Sequence, residues 1–366
     1  MPSRVTVRAA LLAWLAATAT PLAAQRLRAE NVIVVTLDGL RWQELFGGAV
    51  ADLMNTTNGG VRDSAALAAR FWRETAEARR KALLPFLWAT IAADGQLFGD
   101  SARGSVARVT NGLRFSYPGY NELLSGAADP RIASNDTVPN PNVTVLEWLN
   151  GLPRFRGKVA AYGSWHVLPY ILNVRRSGVF ANGDGPPVSE PETERERLLN
   201  ELADDLPPYW GQVRFDAPTM AGALEYFRTR RPRVFYVMLG ETDEWAHERR
   251  YDLYLEAAWR ADRFIRRLWE AAQALEQYAG KTALVVTTDH GRGARAADWT
   301  DHGRDVPAAG RIWIAVMGPD TPPLGIRDSA AATQAQVAAT IAALLGEDFR
   351  RAAPEAARPL PGVVGR

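Results

Sequence analysis

The sequence predicts an α/β fold with a mostly parallel central sheet and helices on both faces. Two observations predict it. Five runs of β-branched and apolar residues read as strands buried on both sides, and helical stretches fall between or after them. The predicted strands are 31–37, 158–162, 234–239, 283–287 and 312–317, and the predicted helices are 83–93, 221–230, 252–279 and 331–345. Strands that alternate with helices are typical of parallel α/β sheets.

The order of segments along the chain predicts one catalytic domain with an export signal. Residues 1–24 combine two early arginines with a mostly apolar run, which is typical of a secretory signal peptide. A membrane anchor is the alternative, although the run is short for about 30 Å of hydrocarbon. The domain is predicted over 25–350, with a surface insertion or lid at 181–218, and 351–366 is predicted to be a flexible tail.

Composition limits the function classes. The formal net charge is +2, and loss of the two arginines in the predicted signal peptide brings it to about zero, so no binding of duplex nucleic acid is expected. The chain has no cysteine, which excludes a cysteine nucleophile and thiolate metal sites. We therefore expect an exported protein, periplasmic or secreted, with no stable membrane span after signal cleavage and with any metal held by histidines and carboxylates. The sequence does not indicate an oligomeric state.

Three predicted strands end in motifs that can bind metal. The first strand ends in Asp38-Gly39, the third leads into Asp243-x-x-x-His247, and the fourth ends in Asp289-His290-Gly291. A further histidine, His302, follows in Thr-Asp-His-Gly. The carboxyl ends of parallel strands meet at one edge of a sheet, where ligands bind in such folds.

Each motif also has a simpler interpretation. Asp38 could shape a turn, Asp243 and His247 could be an exposed pair four residues apart, and Asp289-His290 could cap a helix. The combination argues against these separate explanations, because three of the four histidines in the chain fall in the motifs. Three aspartates, three histidines and a hydroxyl suffice for two sites of three to four N/O ligands each.

The hydroxyl is Ser116, in the segment Ser-Tyr-Pro-Gly-Tyr-Asn. Pro118 suits the first turn of a helix that runs to Gly126, so Ser116 is predicted at the helix entrance. The positive end of the helix dipole and unpaired N–H groups favour an anion there. A plain helix cap is the alternative.

The ordered set resembles the alkaline phosphatase superfamily, over about residues 31–317. Within it, the sequence looks most like nucleotide pyrophosphatase/phosphodiesterases, which carry Thr-Phe-Pro-Asn-His where this chain has Ser-Tyr-Pro-Gly-Tyr. The resemblance implies two divalent ions, with zinc expected and manganese or magnesium as alternatives. One ion would be held by Asp243, His247 and His302. The other would be held by Asp38, Asp289, His290 and Ser116.

The resemblance also implies a function. The expected activity is hydrolysis of a small-molecule phosphomonoester or phosphodiester through a phosphoseryl intermediate at Ser116. Asn135 falls near the position of a phosphoryl-binding asparagine in the phosphodiesterases, and Arg41, Arg292 or Arg304 could clamp a phosphoryl group. His166 matches no motif, so a packed and a substrate-facing role both stay open.

Alternative functions follow from the same scaffold. Sulfatases carry Cys/Ser-x-Pro-x-Arg, and here Tyr120 stands at the arginine position, so conversion of Ser116 to an aldehyde is not expected. A sulfatase-like or phosphonate hydrolase is nevertheless the first alternative, and a non-catalytic metal-binding protein is the second.

Overall fold

The structure is a computed structural model that describes residues 27–183, 185–188, 191 and 193–365. The predicted signal peptide, 1–24, lies outside these residues. The strands are β1 Asn31–Leu37, β2 Gly95–Phe98, β3 Val106–Arg108, β4 Val159–Gly163, β5 Phe180–Asn182, β6 Val234–Leu239, β7 Thr282–Thr287, β8 Arg311–Ile312, β9 Ile314–Met317, β10 Gly325–Ile326 and β11 Ala331–Thr333.

Helices surround these strands. The α-helices are α1 Trp42–Gly47, α2 Thr56–Gly59, α3 Ser64–Phe71, α4 Ala76–Leu83, α5 Ala92–Asp94, α6 Ser116–Ser125, α7 Val145–Gly151, α8 Leu168–Ile171, α9 Val174–Ser177, α10 Glu194–Asp204, α11 Asp216–Arg230, α12 Glu241–His247, α13 Tyr251–Gln273 and α14 Gln336–Leu344. A π-helix spans Leu87–Ile91, and 3₁₀ turns span Ala51–Leu53, Ser101–Arg103, Pro307–Gly310 and Phe349–Arg351.

Eight strands form the main sheet, in the order β10-β2-β9-β7-β1-β6-β4-β5. The part from β7 to β5 is parallel, whereas β9 pairs antiparallel with both β7 and β2. A three-stranded sheet, β11-β3-β8, lies apart. The predicted α/β class with a mostly parallel sheet is thus confirmed.

Strand β1 shows why the sheet is buried on both faces. Ile33, Val35 and Leu37 pack in the apolar cluster that includes α13, whereas Val32 and Val34 pack in the cluster that includes α6 and α14. Successive side chains of a strand point to opposite faces, so a continuous apolar run fits a sheet covered by helices on both sides.

Four predicted elements differ from the structure. The predicted helix 252–279 ends early, because α13 stops at Gln273. The predicted helix 83–93 is divided, because α4 ends at Leu83 and Pro85, which has no backbone N–H, precedes the π-helix. The predicted strand 312–317 is two strands with Trp313 between them. The start of the predicted helix 331–345 is strand β11, which pairs with β3, and α14 begins only at Gln336.

Residues 352–365 also differ from the flexible tail that their composition predicts. Ala353, Ala356, Leu360 and Val363 are buried in the core, and the N–H of Ala357 donates to a backbone carbonyl at the end of α6. Small apolar side chains at these positions let the segment pack closely. Among the described residues, no helix is long and apolar enough to cross a membrane.

Candidate metal centre

Three adjacent parallel strands carry the aspartates to one edge of the sheet. Asp38 directly follows β1, Asp289 comes two residues after β7, and Asp243 lies in the first turn of α12, which follows β6. Because β1 lies between β7 and β6, the three carboxylates converge. The sequence prediction that these strand ends meet is borne out by the strand order.

We call Asp38, Asp289 and His290 the inner cluster. His290 Nε2 lies 3.3 Å from Asp38 Oδ1 and 3.4 Å from Asp289 Oδ2. All three residues are buried. Among the described residues, neither of these two carboxylate oxygens has a hydrogen-bond partner, although both are buried. Buried anionic oxygens without a donor are costly, so this arrangement favours a cation between them.

We call Asp243, His247 and His302 the outer cluster. His247 Nε2 lies 3.0 Å from Asp243 Oδ2 and 3.1 Å from His302 Nε2. His302 Nε2 and His290 Nε2 each lie 3.8 Å from Asp243 Oδ1, so Asp243 connects the outer cluster to the inner one. The His247 side chain is 47% exposed, whereas that of His290 is fully buried. The outer cluster therefore forms the open side of the site.

Two of the histidines are held in the tautomer that binds metal. His290 Nδ1 lies 2.9 Å from the carbonyl oxygen of Gly291, and His302 Nδ1 lies 3.3 Å from that of Arg114. A carbonyl only accepts, so each Nδ1 carries a proton, which leaves Nε2 as the nitrogen that faces the clusters and can bind a metal. Burial, followed by the neighbouring His290, lowers the pKa of His302 to about 2, which keeps this ring neutral.

The carboxylates have opposite electrostatic environments. Burial, followed by repulsion from Asp243, raises the pKa of Asp38 well above its usual range. Burial and then repulsion from Asp38 raise the pKa of Asp289 in the same way. Burial also disfavours the charged form of Asp243, but Arg292 and His247 outweigh it and hold the pKa of this carboxyl well below its usual range. Three carboxylates face one guanidinium, so the donor set fits divalent cations.

Ser116 lies where the clusters meet. It is the first residue of α6, it is buried, and its Oγ lies 3.4 Å from His290 Nε2. Gly119, one turn further along α6, packs directly on the inner cluster, since a Cβ there would lie 2.5 Å from the carbonyl oxygen of Asp289. A side chain at this position would push the start of α6 away from the inner cluster. The sequence prediction of a helix that begins near Ser116 and ends before Gly126 agrees with α6.

Loop 110–114 fixes the start of α6. The buried carboxylate of Glu122 accepts hydrogen bonds from the backbone N–H and side chains of Thr110 and Asn111. Arg114 adopts the left-handed region at φ 57°, and its carbonyl accepts the N–H of Gly303. The same loop therefore positions both Ser116 and the segment that carries His302.

Tyr120 is a site residue that the sequence pattern did not reveal. Its hydroxyl donates to Asp38 Oδ2 at 2.9 Å, and the whole side chain is buried. It lies one turn after Ser116, so the helix that carries the serine also orients an inner-cluster carboxylate. The signal in the sequence is the four-residue spacing from Ser116, which places both side chains on one face of a helix.

Asn135 lies beside the start of α6, and its contact there changes the expected anion site; its phosphoryl-binding role stays a prediction. Its Oδ1 accepts the N–H of Tyr117 at 3.0 Å, and residue 118 is a proline without an N–H. Two of the first N–H groups of the helix are therefore not open to a ligand. The Nδ2 of Asn135 makes no hydrogen bond within the described part of the chain, so this N–H₂ group can still donate to a ligand.

The substrate-binding role predicted for Arg41 is wrong. Its guanidinium is buried, forms an ion pair with Glu44 and donates to the carbonyl of Gly293 at 2.9 Å. Tyr251 donates to the same Glu44 carboxylate. Arg292 is also buried and binds Asp243 and the carbonyl of Thr300. Both arginines support the loops around the clusters and face away from solvent.

Comparisons with known proteins agree with this geometry. Residues 217–348 match the sequence profile of the Metalloenzyme superfamily, and the match contains five of the predicted ligands, namely Asp243, His247, Asp289, His290 and His302. No curated protein sequence matches the chain.

Solved structures share the fold. Ps i-CgsB in complex with k-i-k-neocarrahexaose has a TM-score of 0.54 and 17% identity, over 91% of this chain and 75% of that one. Phosphonate monoester hydrolase SpPMH from Silicibacter pomeroyi gives 0.51 and 16%, over 90% and 76%. An inactive form of murine ectonucleotide pyrophosphatase/phosphodiesterase 5 with AMP gives 0.50 and 11%, over 87% and 95%.

Residues 217–348 thus match the Metalloenzyme superfamily profile, and the chain as a whole shares the mixed α/β fold of these solved structures. Both findings agree with the resemblance to the alkaline phosphatase superfamily that the motifs indicate. The closer likeness to nucleotide pyrophosphatase/phosphodiesterases stays a prediction.

Proposed function

We propose that the protein is a metal-dependent phosphoester hydrolase with Ser116 as its nucleophile. The observation that carries the proposal is the position of the Ser116 hydroxyl, 3.4 Å from His290 Nε2 at the junction of two Asp/His clusters. A serine that only capped a helix would not need three carboxylates and three histidines around it. The AMP complex of the murine phosphodiesterase shows that a protein of the same fold binds a phosphoester.

The residues fit two divalent cations. The inner cluster, Asp38, Asp289 and His290, would hold one cation together with Ser116. Asp243 and His302 group closely with His290 as well, and with His247, which contacts both of them, they would hold the other cation. Zinc is the expected metal because it binds mixed His and Asp ligands readily. Bound there, the cations would lower the pKa of the Ser116 hydroxyl and offset the negative charge of the phosphoryl oxygens. Tyr120 and the backbone carbonyl of Gly291 would keep Asp38 and His290 in their binding orientations.

Ser116 would act by double displacement. The ionised Oγ forms a bond to phosphorus while the bond from phosphorus to the leaving oxygen breaks, and the leaving alcohol takes a proton from water. Water then forms a bond to phosphorus, the Oγ–phosphorus bond breaks, and Ser116 regains its proton. Asn135 Nδ2 would donate to a phosphoryl oxygen throughout, because its Oδ1 is fixed by the N–H of Tyr117.

Tyr120 favours phosphoester over sulfate-ester hydrolysis. It occupies the position where sulfatases have an arginine, and its hydroxyl is already bonded to Asp38. An unmodified serine suits phosphoryl transfer directly. Because the sequence predicts an export signal, we expect the enzyme to act on its substrate outside the cytoplasm, in the periplasm or outside the cell.

The test uses protein loaded with zinc, manganese or magnesium and three substrates: p-nitrophenyl phosphate, bis-p-nitrophenyl phosphate and p-nitrophenyl sulfate. We expect hydrolysis of a phosphate ester and its loss in Ser116→Ala, with two metal equivalents retained by elemental analysis. The ratio of the hydrolysis rates for p-nitrophenyl phosphate and bis-p-nitrophenyl phosphate would show whether the enzyme prefers monoesters or diesters. Wild-type turnover in Ser116→Ala, or turnover of the sulfate ester alone, would overturn the proposal.

A further inference from the structure

A cavity lies one strand away from the clusters, and we call it the β4 pocket. Its volume is about 280 Å³, close to the lower end of the roughly 300–1,000 Å³ that is usual for small-molecule sites. Residues from the end of β4 and from the predicted lid line it, among them Ser164, His166, Pro187, Leu206, Val213 and Phe215. The pocket therefore lies between the end of β4 and described residues of the predicted lid.

The sheet places the β4 pocket beside the outer cluster. Strand β4 pairs in parallel with β6, and the N–H of Ser164 continues the pairing to the carbonyl of Met238. Strand β6 leads through Gly240 into α12, which carries Asp243. A Cβ on Gly240 would lie 3.0 Å from Val213 Cγ1, so the pocket wall touches the backbone that starts this helix.

Aromatic contacts connect the β4 pocket to the Ser116 helix. Trp165 forms a bridge with Val213 in the pocket wall, and its ring lies 6.4 Å from the ring of Tyr120. Tyr120 in turn donates to Asp38. The ring of His166 packs edge-on against Trp165. Trp165 thus contacts both Val213 in the pocket wall and Tyr120, the residue that orients Asp38.

The lining combines polar and apolar surface, and its described residues include one guanidinium and one carboxylate. Arg214 donates hydrogen bonds to Thr219 Oγ1, Asn182 Oδ1 and the carbonyl oxygens of Gly163 and Gly185. Its guanidinium therefore connects the segments that form the pocket. Asp204 adds a carboxylate to the lining. A polyanionic group would be repelled by the Asp204 carboxylate and would have to compete with the four oxygens that Arg214 already binds, whereas a flat apolar ring would pack against Phe215, Val213 and the prolines.

We propose that the β4 pocket binds the leaving alcohol of the substrate, and that this alcohol is an uncharged, flat, apolar group such as an aromatic alcohol. The inference rests on the proposed function, and it names the substrate class of the same site. His166, whose Nδ1 lies 3.2 Å from the carbonyl of Gln212, presents its Nε2 edge as the polar contact for a substituent on such a ring.

A second groove provides the matched control. It lies beside the Asn135 loop, has a volume of about 310 Å³ and is lined by residues that include Tyr117, Ser134 and Val138. Val138 is 61% exposed, so a larger side chain there fills the groove without entering the core. Ala203 on α10 lines the β4 pocket, so a larger side chain at this position fills that pocket in the same way. The two substitutions Ala203→Phe and Val138→Phe therefore fill one cavity each.

The experiment measures two quantities for wild type and both variants. One is the binding of 2-naphthol by titration calorimetry, and the other is kcat/KM for 2-naphthyl phosphate and for methyl phosphate. We expect Ala203→Phe to weaken naphthol binding and to lower kcat/KM for the naphthyl ester by at least about tenfold, which is 1.4 kcal/mol, with methyl phosphate unchanged. Val138→Phe should leave all three values unchanged. His166→Ala, with wild-type thermal stability as its control, should weaken naphthol binding by a smaller factor.

The outcomes separate the two proposals. If naphthol binds and Ala203→Phe abolishes that binding, but no ester is hydrolysed, then the proposed function fails and the pocket assignment stands. The pocket assignment fails if esters are hydrolysed but Ala203→Phe changes neither the affinity for 2-naphthol nor kcat/KM for 2-naphthyl phosphate. It also fails if Val138→Phe has the larger effect on these two quantities. Preference for ATP over 2-naphthyl phosphate would also overturn it.

Discussion

The inner and outer clusters use similar ligand types in different surroundings. The inner cluster is buried, and two of its carboxylate oxygens have no hydrogen-bond donor among the residues that the structure describes. The outer cluster has an exposed histidine, His247, and its carboxylate is already bonded to Arg292. The inner cluster therefore lacks an internal partner for its negative charge, whereas the outer cluster has one in Arg292 and has access to solvent.

This difference follows from the elements that carry the ligands. Asp38 and Asp289 lie immediately past strands at the centre of the sheet, where the backbone is fixed on both sides. His247 ends a short helix, and His302 lies in the loop between β7 and β8. Ligands on fixed strand ends suit a tightly held ion, and ligands on a helix end and a loop suit an ion that exchanges with solvent.

The largest effect is expected from Asp289→Asn. The substitution removes a charged ligand from the inner cluster, so one metal equivalent should be lost and kcat/KM for a phosphate ester should fall by about 10³-fold or more. The metal-free variant should unfold at a higher temperature than the metal-free wild type, because an uncompensated buried carboxylate is gone. Retention of two metals by elemental analysis would show that the inner cluster does not need this ligand.

His247→Ala should have a smaller and reversible effect. The outer ion loses one exposed ligand, and its affinity should fall by about 100-fold, or roughly 2.7 kcal/mol. Excess metal in the assay should restore most of the turnover, which it should not do for Asp289→Asn. A chelator titration with activity as the readout compares the two variants. If excess metal rescues neither variant, or both, the distinction between the clusters is incorrect.

Tyr120→Phe tests the support of the inner cluster alone. Loss of the hydroxyl leaves Asp38 Oδ2 without its donor, and loss of such outer partners typically costs about 10–100-fold in metal affinity or activity. The affinity of the inner ion should fall while that of the outer ion is unchanged, as measured by competition with a chromogenic chelator. Equal losses at both ions would indicate a general disturbance of α6.

The smallest effect on turnover is expected from Asp216→Asn, which tests the support of the outer cluster. Asp216 accepts the N–H groups of Gly240 and Glu241 at the start of α12. Burial, followed by repulsion from Glu241, raises its pKa to about 7. With metal in excess, kcat/KM should change little.

The pH dependence of stability should change in this variant. The folded protein keeps a proton on Asp216 that the unfolded chain has lost between about pH 4 and 7, so wild-type stability falls as pH rises through that window. Removing this carboxyl should flatten the fall by at most about 4 kcal/mol, given 1.4 kcal/mol per pKa unit. Thermal melts of wild type and Asp216→Asn at pH 5 and pH 8 give the comparison. Parallel curves would contradict the assignment.

The strand ends and the nucleophile helix could be predicted from sequence because their signals are local. The run 31–37 is mostly β-branched and apolar and matches β1 residue for residue, and Pro118 and Gly126 mark the start and the end of α6. The Asp and His motifs then follow from the rule that parallel strands end at one edge. Their roles as metal ligands stay a prediction.

The remaining features depend on contacts between distant segments. Arg41 is adjacent to the Asp38 motif, but its guanidinium points towards Glu44. The Glu44 carboxylate is held in place by Tyr251 and Tyr254, two residues more than 200 positions further along the chain. The packing of 352–365 depends on a groove that α6 and α14 form together. A pattern of prolines and arginines cannot reveal such a groove, so the composition favoured a flexible tail.

The position of β1 between β6 and β7 has a consequence for how the protein is made. Strand β1 is synthesised early, but its partners begin about 200 and 250 residues later, at Val234 and Thr282. The inner cluster joins Asp38 to Asp289, so no part of the nascent chain can hold its ion before β7 has been translated. Contacts of such long range form slowly. We therefore expect metal uptake to be a late event in biogenesis, after the sheet closes, and pulse-labelled chains chased with and without zinc should differ only in that last step.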